Sequence, residues 1–446
     1  MPNEFAYLAL IIWPFISLLF YKHLPIVHAT FWTIVGGFLI LPVKTAIDFP
    51  FIPPLDKESI PAIAAFIGCR YIKKVKITLL PQDGFARWFV IFMIIVPLMS
   101  VANNQEYVNN IPGLTLYDAI SDIATQYLRL LPLIIGMQII KTYDDQLELF
   151  KLLVVACLFY SIPILFEIRM SPQLHTWIYG FFPRSFIQQI RYDGFRPVVF
   201  IGHGLFVAMF VAVSLGAAAI LIKQKKKIRN IPSALIVIYF LVLLVLSKTL
   251  GAFLLGMTLA VFIIWMPYFL VKRLSLFLVF VALFYPLISI MDYFPHQNLV
   301  QLIGSYDTER AGSLSFRFHH EKLLLEHAQK KIYFGWGGWG RSRLAGSVTD
   351  GYWIILLGQY GIAGFVSFFG LVYMAVSRGI RASAFIRNNN EQHLLISHVL
   401  LVSIILVDQL PNASLAGWMM LLIGSLLGRT RYLNYISNQK SNNYVK

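Results

Sequence analysis

The sequence predicts an all-α polytopic membrane protein of about twelve transmembrane helices, with a long extracytoplasmic loop that contains an amphipathic helix. Three observations carry this prediction. Of the 446 residues, 58% are hydrophobic and only 13% are charged, a balance typical of a protein solvated by lipid. Long apolar runs recur along the chain, and basic residues gather in alternate gaps between them. We expect residues 1–446 to form one integral membrane domain.

Apolar runs of about 17–25 residues are long enough to cross the hydrocarbon core of a bilayer. We read runs near 5–21, 26–43, 85–101, 124–140, 150–168, 197–222, 231–247, 251–271, 274–291, 351–376, 394–409 and 414–428. No small-residue cleavage pattern follows the first run, so we expect it to be a retained helix. The proline-rich segment 59–72 is too short to span comfortably, and we interpret it as interfacial or re-entrant on the cytoplasmic side. If it spans instead, the N-terminus moves to the outer side.

The basic residues behind the net charge of +16 are distributed along the chain as membrane topology requires, and not as in a surface that binds nucleic acid. The basic clusters are KQKKKIR at 223–229, Lys272–Arg273, the group Arg378, Arg381 and Arg387, and the tail 429–440. By the positive-inside rule, both termini are cytoplasmic and the segments 102–123, 169–196 and 292–350 are outside. We therefore expect membrane lipid as a partner, and no nucleic acid.

Two outer loops stand out. The loop 169–196 carries aromatic residues and, from position 171 onward, the arginines Arg184, Arg191 and Arg196 but no lysine. The large loop 292–350 has apolar residues near helical spacing, which predict an amphipathic helix across the outer face. These residues are Leu314, Phe318, Leu323, Leu324, Leu325 and Ile332. We expect His327, near the end of this helix, to face water.

Arginine is the main candidate for ligand binding on the outer side. Six arginines are assigned there: Arg191, Arg196, Arg310, Arg317, Arg341 and Arg343. A guanidinium group offers a rigid fork of donors, so these residues predict a cradle for a pyrophosphate or a carboxylate. Alternatively, they snorkel to lipid headgroups or pair with Asp193, Asp307 and Glu309. Lys248, in the outer turn SKTLGA, either snorkels or joins the cradle.

The stretch GWGGWG and the residues after it supply further candidates. Its glycines let backbone approach a ligand closely, and its tryptophans, Trp336 and Trp339, suit stacking on sugar rings. The alternative is a plain helix stop with interfacial aromatic anchors. Asp350 precedes an apolar helix that starts at Gly351, where a carboxylate either caps the helix or accepts a proton from a bound hydroxyl. We expect Tyr352, like the two tryptophans, to contact a glycan.

The histidines give weaker signals. His203 lies in FIGHGLF inside a predicted span, where a buried ionisable group is a functional candidate or is hydrogen-bonded between helices. His319 and His320 are adjacent, and adjacent side chains on a helix point about 100° apart, so they do not share one cation easily. We expect no metal and no cofactor. The predicted spans are mostly uncharged, apart from end residues such as Glu167 and Asp408.

Three stretches together resemble the O-antigen ligase and O-antigen polymerase superfamily. They are RYDGFRPVVFIGHG at 191–204, SKTLGA at 247–252, and the series ERAGSLSFR, FGWGGWG and TDGYWIILLGQYGIAG between 309 and 364. The resemblance covers roughly 190–365 and depends on the order and spacing of the stretches. Members of this superfamily act on the outer face of the bacterial inner membrane. They move a glycan from undecaprenyl pyrophosphate onto an acceptor.

The resemblance implies a role for several positions of this chain. The external arginine that precedes a helix in the family matches Arg191 or Arg196, and the start of the family's large loop matches Arg310 and Arg317. Asp350 stands where ligases usually carry a histidine, and SKTLGA has Lys248, or Leu250, where many members carry an arginine. These departures favour a repeat-unit polymerase, or another glycan-assembly member, for an exopolysaccharide or O-antigen.

The expected site follows from the arginine pattern and the resemblance together. Asp350 and Arg317 are the expected catalytic residues. The donor pyrophosphate is expected to bind Arg191, Arg196, Arg310, Arg341, Arg343 and Lys248, and the glycan to contact Trp336, Trp339 and Tyr352. The expected partners are an undecaprenyl-pyrophosphate-linked oligosaccharide, the growing glycan acceptor, membrane lipid and other polysaccharide-export proteins.

Two rival functions belong to other classes. A multi-pass transporter or flippase of lipid-linked saccharide is expected to have charges and broken helices near the membrane midplane. A scaffold subunit of a polysaccharide-export complex has no need of an arginine cradle. Polar groups clustered at one surface favour surface chemistry over both.

Overall fold

The computed structural model describes residues 1–49, 52–108, 110–191 and 194–444. Asp193, one of the acidic residues expected to pair with an arginine, lies outside them. The described chain is mostly helical, and its strands form three short antiparallel hairpins. These pair β1 (Ala46–Phe49) with β2 (Ile52–Asp56), β3 (Ile190–Arg191) with β4 (Gly194–Phe195), and β5 (Lys227–Ile228) with β6 (Ile231–Pro232). The predicted all-α class is confirmed.

Seven of the described helices are long and apolar enough to cross a membrane. They are α1 (Glu4–His23), α5 (Gly84–Ala102), α7 (Tyr143–Met170), α9 (Gly204–Lys223), α12 (Tyr268–Ile290), α15 (Tyr352–Ser383) and α16 (Asn389–Asp408). The shorter apolar segments are α2 (Ile26–Phe31) with α3 (Gly37–Ile40), α4 (Ser59–Ile67) with a π-helical turn Gly68–Ile72, α10 (Ser233–Leu246) and α11 (Leu250–Trp265). Two more helices, α6 (Leu116–Ile139) and α17 (Gly417–Tyr444), pack along each other. The chain is therefore a membrane-embedded helical protein.

The segment formed by α4 and its π-helical turn packs against neighbouring helices. At one level, Gly37 lies between the side chains of Trp13 on α1 and Pro61 on α4. At another level, the Cys69 thiol lies 3.4 Å from the hydroxyl of Tyr21 on α1. Helices α1 and α4 therefore run parallel, with α2 and α3 returning between them. Neighbouring helices cover much of this short segment, and its interfacial, re-entrant or crossing placement stays a prediction.

One end of the helical body, which we call the loop face, carries the N-terminus and the long connections. It includes the β1–β2 hairpin, α8 (Leu174–Tyr179), α13 (His296–Gly304) and α14 (Thr308–Gln329). The backbone N–H of Asn3 donates to the carbonyl of Tyr179 at 3.0 Å, which joins the N-terminus to α8. Arg191 Nη1 lies 3.7 Å from Glu309 Oε1, which joins the first long connection to α14. The segments 171–197 and 292–351 thus lie at the same end.

The predicted helix of the large loop exists as α14. Asp307 caps it, because its Oδ1 accepts the N–H of Arg310 at 3.0 Å. Most of its buried residues lie in its C-terminal half: Leu324, Leu325, His327 and Ala328. The prediction that His327 faces water is wrong, because the ring of Trp336 stacks on it at 4.4 Å. The N-terminal half, which bears Arg310 and Arg317, is left at the open loop face.

Helix α15 is broken at Gly361, where φ is 64° and ψ is −161°. The GWGGWG stretch inserts beside the break and replaces the missing helical hydrogen bonds. The N–H of Ile362 donates to the carbonyl of Ile332 at 2.8 Å. In return, the N–H of Trp336 donates to the carbonyl of Gly358 at 2.8 Å. Backbone without regular helical bonds is tolerated inside a membrane protein when other protein groups satisfy it, and this loop does so.

Candidate active site

Arg317 and Asp350, the two expected catalytic residues, lie together at the loop face. Arg317 Nε is 3.4 Å from Asp350 Oδ2, and the two side chains are 33% and 36% exposed. Arg317 Nη1 also donates to the carbonyl of Pro411 at 3.3 Å. The ion pair is therefore partly exposed, and its guanidinium N–H donors and carboxylate oxygens are accessible to a ligand.

Asp350 does not cap helix α15. The cap residue is Gly351, and no side chain bonds to the first turn. The N–H of Tyr352 instead donates to the carbonyls of Gln409 and Asn412, at 2.9 and 3.1 Å. The capping alternative is wrong, because a returning loop occupies the place of the cap. The carboxylate is left to interact with arginine and with whatever binds beside it.

Arg196 is held in place by the turn SKTLGA and by a buried carboxylate. Glu167 Oε2 accepts the N–H groups of Val198 and Val199, both at 2.7 Å, and so fixes the chain that follows Arg196. Arg196 Nε donates to the carbonyl of Lys248 at 3.2 Å. These bonds fix the backbone that follows Arg196 and hold its Nε against the α10–α11 turn.

Lys248 makes its contact with backbone. Its Nζ donates to the carbonyl of Arg191 at 2.9 Å, and it makes further interactions as well. This bond ties the α10–α11 turn to the β3–β4 hairpin. Lys248 therefore lies beside the segment that bears Arg196, where it supports that segment and adds positive charge to it.

Two arginines lie close to His203: Arg196 packs against Gly204, and Arg184 lies over Phe206, whose ring is 5.3 Å from the His203 ring. His203 is the cap residue of α9, and its Nδ1 accepts the N–H of Leu205 at 3.1 Å, so the predicted location inside a span is wrong. Burial and the positive charges of Arg184, Arg196 and Arg317 lower the pKa of His203 to about 3. The imidazole is therefore neutral in ordinary buffers.

Arg184 belongs to the same group, although it was not among the expected site residues. Burial lowers the pKa of its guanidinium, and the negative charge of Asp350 opposes this shift. Its guanidinium also stacks on Phe206, 5.7 Å from the ring centre. The sequence feature that indicates Arg184 is its position in the loop 169–196, which from position 171 onward contains arginines but no lysine. We call the group Arg184, Arg196, His203, Arg317 and Asp350 the arginine mouth.

Two of the expected pyrophosphate ligands form ion pairs at the rim of the loop face. Arg191 pairs with Glu309, and Arg310 Nε lies 3.0 Å from Asp307 Oδ2. Each of these pairs is partly exposed, which makes it weak in water. The alternative of acidic pairing therefore describes Arg191 and Arg310, which lie outside the arginine mouth as we define it.

Arg341 and Trp336 are buried inside the loop structure. Arg341 Nη1 donates to the carbonyl of Pro112 at 2.9 Å, and the carbonyl of Arg341 accepts from His327 Nε2 at the same distance. Trp336 Nε1 donates to the carbonyl of His327 at 2.8 Å. Arg341 is only 1% exposed and Trp336 only 7%. Both residues hold the loop segments together in this structure and present little surface to a ligand.

Replacing Arg341 with leucine is expected to lower the thermal unfolding midpoint of the purified protein, at a cost of about 2 kcal/mol. The change removes the donor to the Pro112 carbonyl in a buried place. Arg343→Leu is the matched control, because that side chain is exposed and makes no hydrogen bond or ion pair with the described residues. Equal unfolding midpoints for the two variants would contradict the role of Arg341 in holding the loop segments together.

A deeper cavity of about 290 Å³ lies behind the start of α15. Arg343 and Tyr352 line it, as do Arg129 on α6, Glu58 and Gln359. Arg343 and Tyr352 were expected at the site, whereas Arg129 and Glu58 were missed. Glu58 accepts the N–H of Gly417 at 2.9 Å, which fixes it at the start of α17.

The sequence does hold a signal for Arg129. Polar residues precede it on α6 at helical spacing: Asp118, Ser121, Asp122 and Thr125. The prediction that spans are mostly uncharged apart from their ends is wrong for α6. An average over the run 124–140 hides the stripe, because most of its polar residues lie before that window and the rest of the window is apolar.

Trp339 lies at a second cavity, of about 280 Å³, next to the first. Its side chain is 66% exposed, so its ring is available for stacking. Asp118 and Asp122 line the same cavity, and Glu58 and Arg129 border both cavities. The expected glycan contacts Trp339 and Tyr352 therefore lie at two adjacent cavities that share Glu58 and Arg129.

Among the described residues, no group of three or more His, Cys, Asp or Glu side chains is arranged to hold a metal ion. His319 and His320 lie side by side with ring centres 5.5 Å apart. Glu321 accepts hydrogen bonds from Tyr285 and Ser289, at 2.8 and 2.6 Å, and so docks α14 onto α12. These residues anchor the large loop.

Comparison with family models and with curated protein sequences finds no match to this chain. The fold and the site therefore define only a class of protein. This class is a membrane-embedded, all-helical protein with an arginine mouth at one face. The resemblance to the O-antigen ligase and polymerase superfamily stays a prediction.

Proposed function

We propose that this chain is a glycan polymerase or ligase of the bacterial inner membrane. It transfers a glycan from an undecaprenyl-pyrophosphate-linked donor to a sugar acceptor in exopolysaccharide or O-antigen assembly. The single observation that carries the proposal is the arginine mouth. Three guanidinium groups beside one carboxylate, at one end of a helical membrane body, suit an anionic lipid headgroup whose glycosidic bond is to be broken.

The proposed topology puts the loop face in the periplasm. Thirteen described helical segments then cross the membrane, made up of the seven long helices, the four shorter segments, α6 and α17. The basic segments 70–76, 223–229 and 378–387 fall on the opposite, cytoplasmic side, in agreement with the positive-inside rule. The C-terminus remains cytoplasmic, and the N-terminus lies outside.

The proposed reaction needs few protein groups. Arg184, Arg196 and Arg317 neutralise the pyrophosphate, which makes it a better leaving group. A hydroxyl oxygen of the acceptor forms a bond to the anomeric carbon, and the bond from that carbon to the pyrophosphate oxygen breaks. The electron pair leaves with the pyrophosphate, and Asp350 accepts the hydroxyl proton. The neutral His203 adds no positive charge and leaves room for the anion.

Reconstitution tests the proposal directly. The purified chain in proteoliposomes is supplied with a lipid-linked oligosaccharide, and the products are sized by gel. A ladder of products is expected for a polymerase and a single transfer for a ligase. Absence of any transfer, by protein that is folded and inserted, would refute the proposal.

Asp350→Asn is expected to lower the turnover number by about 100-fold while the donor KM changes little. The reason is that asparagine keeps the size of the side chain and loses only the base. Since Asp350 is not a helix cap, the amount and thermal midpoint of the protein should stay unchanged. A normal turnover number would remove Asp350 from the reaction, and a drop in protein level alone would indicate a structural role.

A transporter or flippase of lipid-linked saccharide is the second candidate. Two observations favour it: the break of α15 at Gly361 and the presence of Arg129 within α6. Broken helices and intramembrane charges are common at the binding sites of transporters. Movement of a fluorescent lipid-linked saccharide across vesicles, without glycan transfer, would select this function. Polymer export that needs the chain but none of its arginines would indicate a scaffold.

A further inference from the structure

Arg129 is far from the loop face along its helix. Helix α6 begins at Leu116, and at 1.5 Å per residue Arg129 lies about 20 Å along it. A guanidinium at such depth in a membrane protein is costly unless it has a partner or a ligand. Arg129 nonetheless makes no hydrogen bond or ion pair with any described residue.

The surroundings of Arg129 explain how it stays unpaired. Its side chain is exposed, and the surface that it presents lines the cavity of about 290 Å³. The nearby carboxylates are held elsewhere: Asp122 accepts the Tyr360 hydroxyl at 2.8 Å, and Glu58 accepts the Gly417 N–H. The Arg129 guanidinium is thus left open to the cavity, with the carboxylates of Asp56, Glu58 and Asp122 near enough to act on it electrostatically but not hydrogen-bonded to it.

Arg343 brings a second guanidinium to this cavity from the loop before α15. It too makes no hydrogen bond or ion pair through its side chain with the described residues. Two exposed guanidinium groups, with no hydrogen bond or ion pair to the described residues, therefore line one cavity, together with the polar side chains Gln126 and Gln359. Rigid donor forks that line one cavity suit a planar or tetrahedral anion.

The second cavity continues from Arg129 toward the loop face and has a different character. Its lining combines Asp118, Ser121, Asp122 and Thr125 of α6 with the exposed ring of Trp339. Carboxylates and hydroxyls at close spacing accept and donate hydrogen bonds as sugar hydroxyls require, and an indole ring stacks on a sugar face. The hollow is suited to a saccharide along α6 with an anion at its inner end.

We propose that Arg129 and Arg343 form a second anion site, which binds the carboxylate or phosphate group of an acidic acceptor saccharide lying along α6. The assignment of this saccharide as the acceptor rests on the proposed transfer function. The site is separate from the arginine mouth: Tyr352 lines the inner cavity, and Asp350, two residues earlier, faces Arg317.

The test is a binding measurement on the full-length protein in nanodiscs, by isothermal titration calorimetry. The probes are a glucuronate-containing disaccharide, glucose 1-phosphate and neutral cellobiose. Arg129→Gln and Arg343→Gln are each expected to weaken the better acidic probe about tenfold and to leave cellobiose unchanged. Arg129→Lys, which keeps the charge without the fork, should give an intermediate loss. Arg310→Gln is the control, because it removes a positive charge of the loop face outside both sites, and it should leave this binding intact.

The outcomes separate this inference from the proposed function. The acidic probe that binds more tightly identifies the anion as carboxylate or phosphate. Equal affinity for acidic and neutral probes, or acidic binding unchanged in both glutamine variants, would overturn the anion site. If acidic binding depends on Arg129 but the unaltered protein never transfers glycan, the anion site stands and the transfer function fails.

Discussion

Replacing Arg317 with glutamine is expected to reduce glycan transfer by about 100-fold or more, while lipid-linked donor accumulates. Arg317 is the residue that connects the parts of the arginine mouth. It pairs with Asp350, and it adds positive charge at His203 together with Arg196. Loss of its guanidinium removes charge stabilisation of the departing pyrophosphate and also frees Asp350 from its partner.

The structure makes this variant suitable for a clean test. Both side chains of the Arg317–Asp350 pair are about a third exposed, and such pairs contribute at most about 1 kcal/mol to stability. The protein should therefore still fold and insert. Arg317→Lys keeps one charge but loses the bidentate fork, so it should recover only part of the rate. Arg196→Gln should act in the same direction.

Arg310→Gln is the matched control, on the same helix and two turns away. Arg310 pairs with Asp307 at the helix start, so its loss should change transfer by less than about threefold. The measurement is single-turnover transfer in proteoliposomes, with protein amount checked by gel filtration. Equal losses in the Arg310 and Arg317 variants would show that overall charge matters rather than the arginine mouth. Full activity of the Arg317→Gln variant would show that the arginine mouth is not the site of glycan transfer.

Much of the fold follows from the sequence, because a bilayer imposes length and polarity on its helices. Each predicted apolar run overlaps a helix of the structure. Length alone does not place the segment 59–72, because its cover comes from α1 and α6, which are distant in the sequence. Tertiary contacts of this kind leave no trace in local hydropathy.

Only some residues of the candidate site could be predicted from the sequence. The arginine pattern of the sequence pointed to Arg317, which pairs with Asp350, and to Arg196, which acts with Arg317 on His203. Arg341 and Arg343, two residues apart, have opposite environments, one buried and one exposed. Arg341 donates to the carbonyls of Ile111 and Pro112 in a distant loop, and no local pattern reveals which loop folds over which side chain.

Replacing Gly361 with alanine is expected to destabilise the protein by roughly 3 kcal/mol or more, and to lower both thermal midpoint and yield. The backbone conformation there, with φ 64° and ψ −161°, is accessible almost only to glycine. A methyl group at this position lies 2.4 Å from the carbonyl carbon and oxygen of Tyr333. Since these are backbone atoms, no rotamer change relieves the clash.

The consequence reaches the site through the inserted loop. If the segment 332–337 leaves the break, the N–H of Ile362 loses its acceptor inside the helical body, and Gln359 loses its support at the cavity wall. Gly338→Ala is the matched control, because no atom lies within 4 Å of the added methyl group and φ is not positive there. Fluorescence-detected gel filtration after heating compares the two variants. A Gly361 variant as stable as the Gly338 variant would mean that α15 can run unbroken, and then the loop that carries Arg341 and Arg343 is not anchored by this helix.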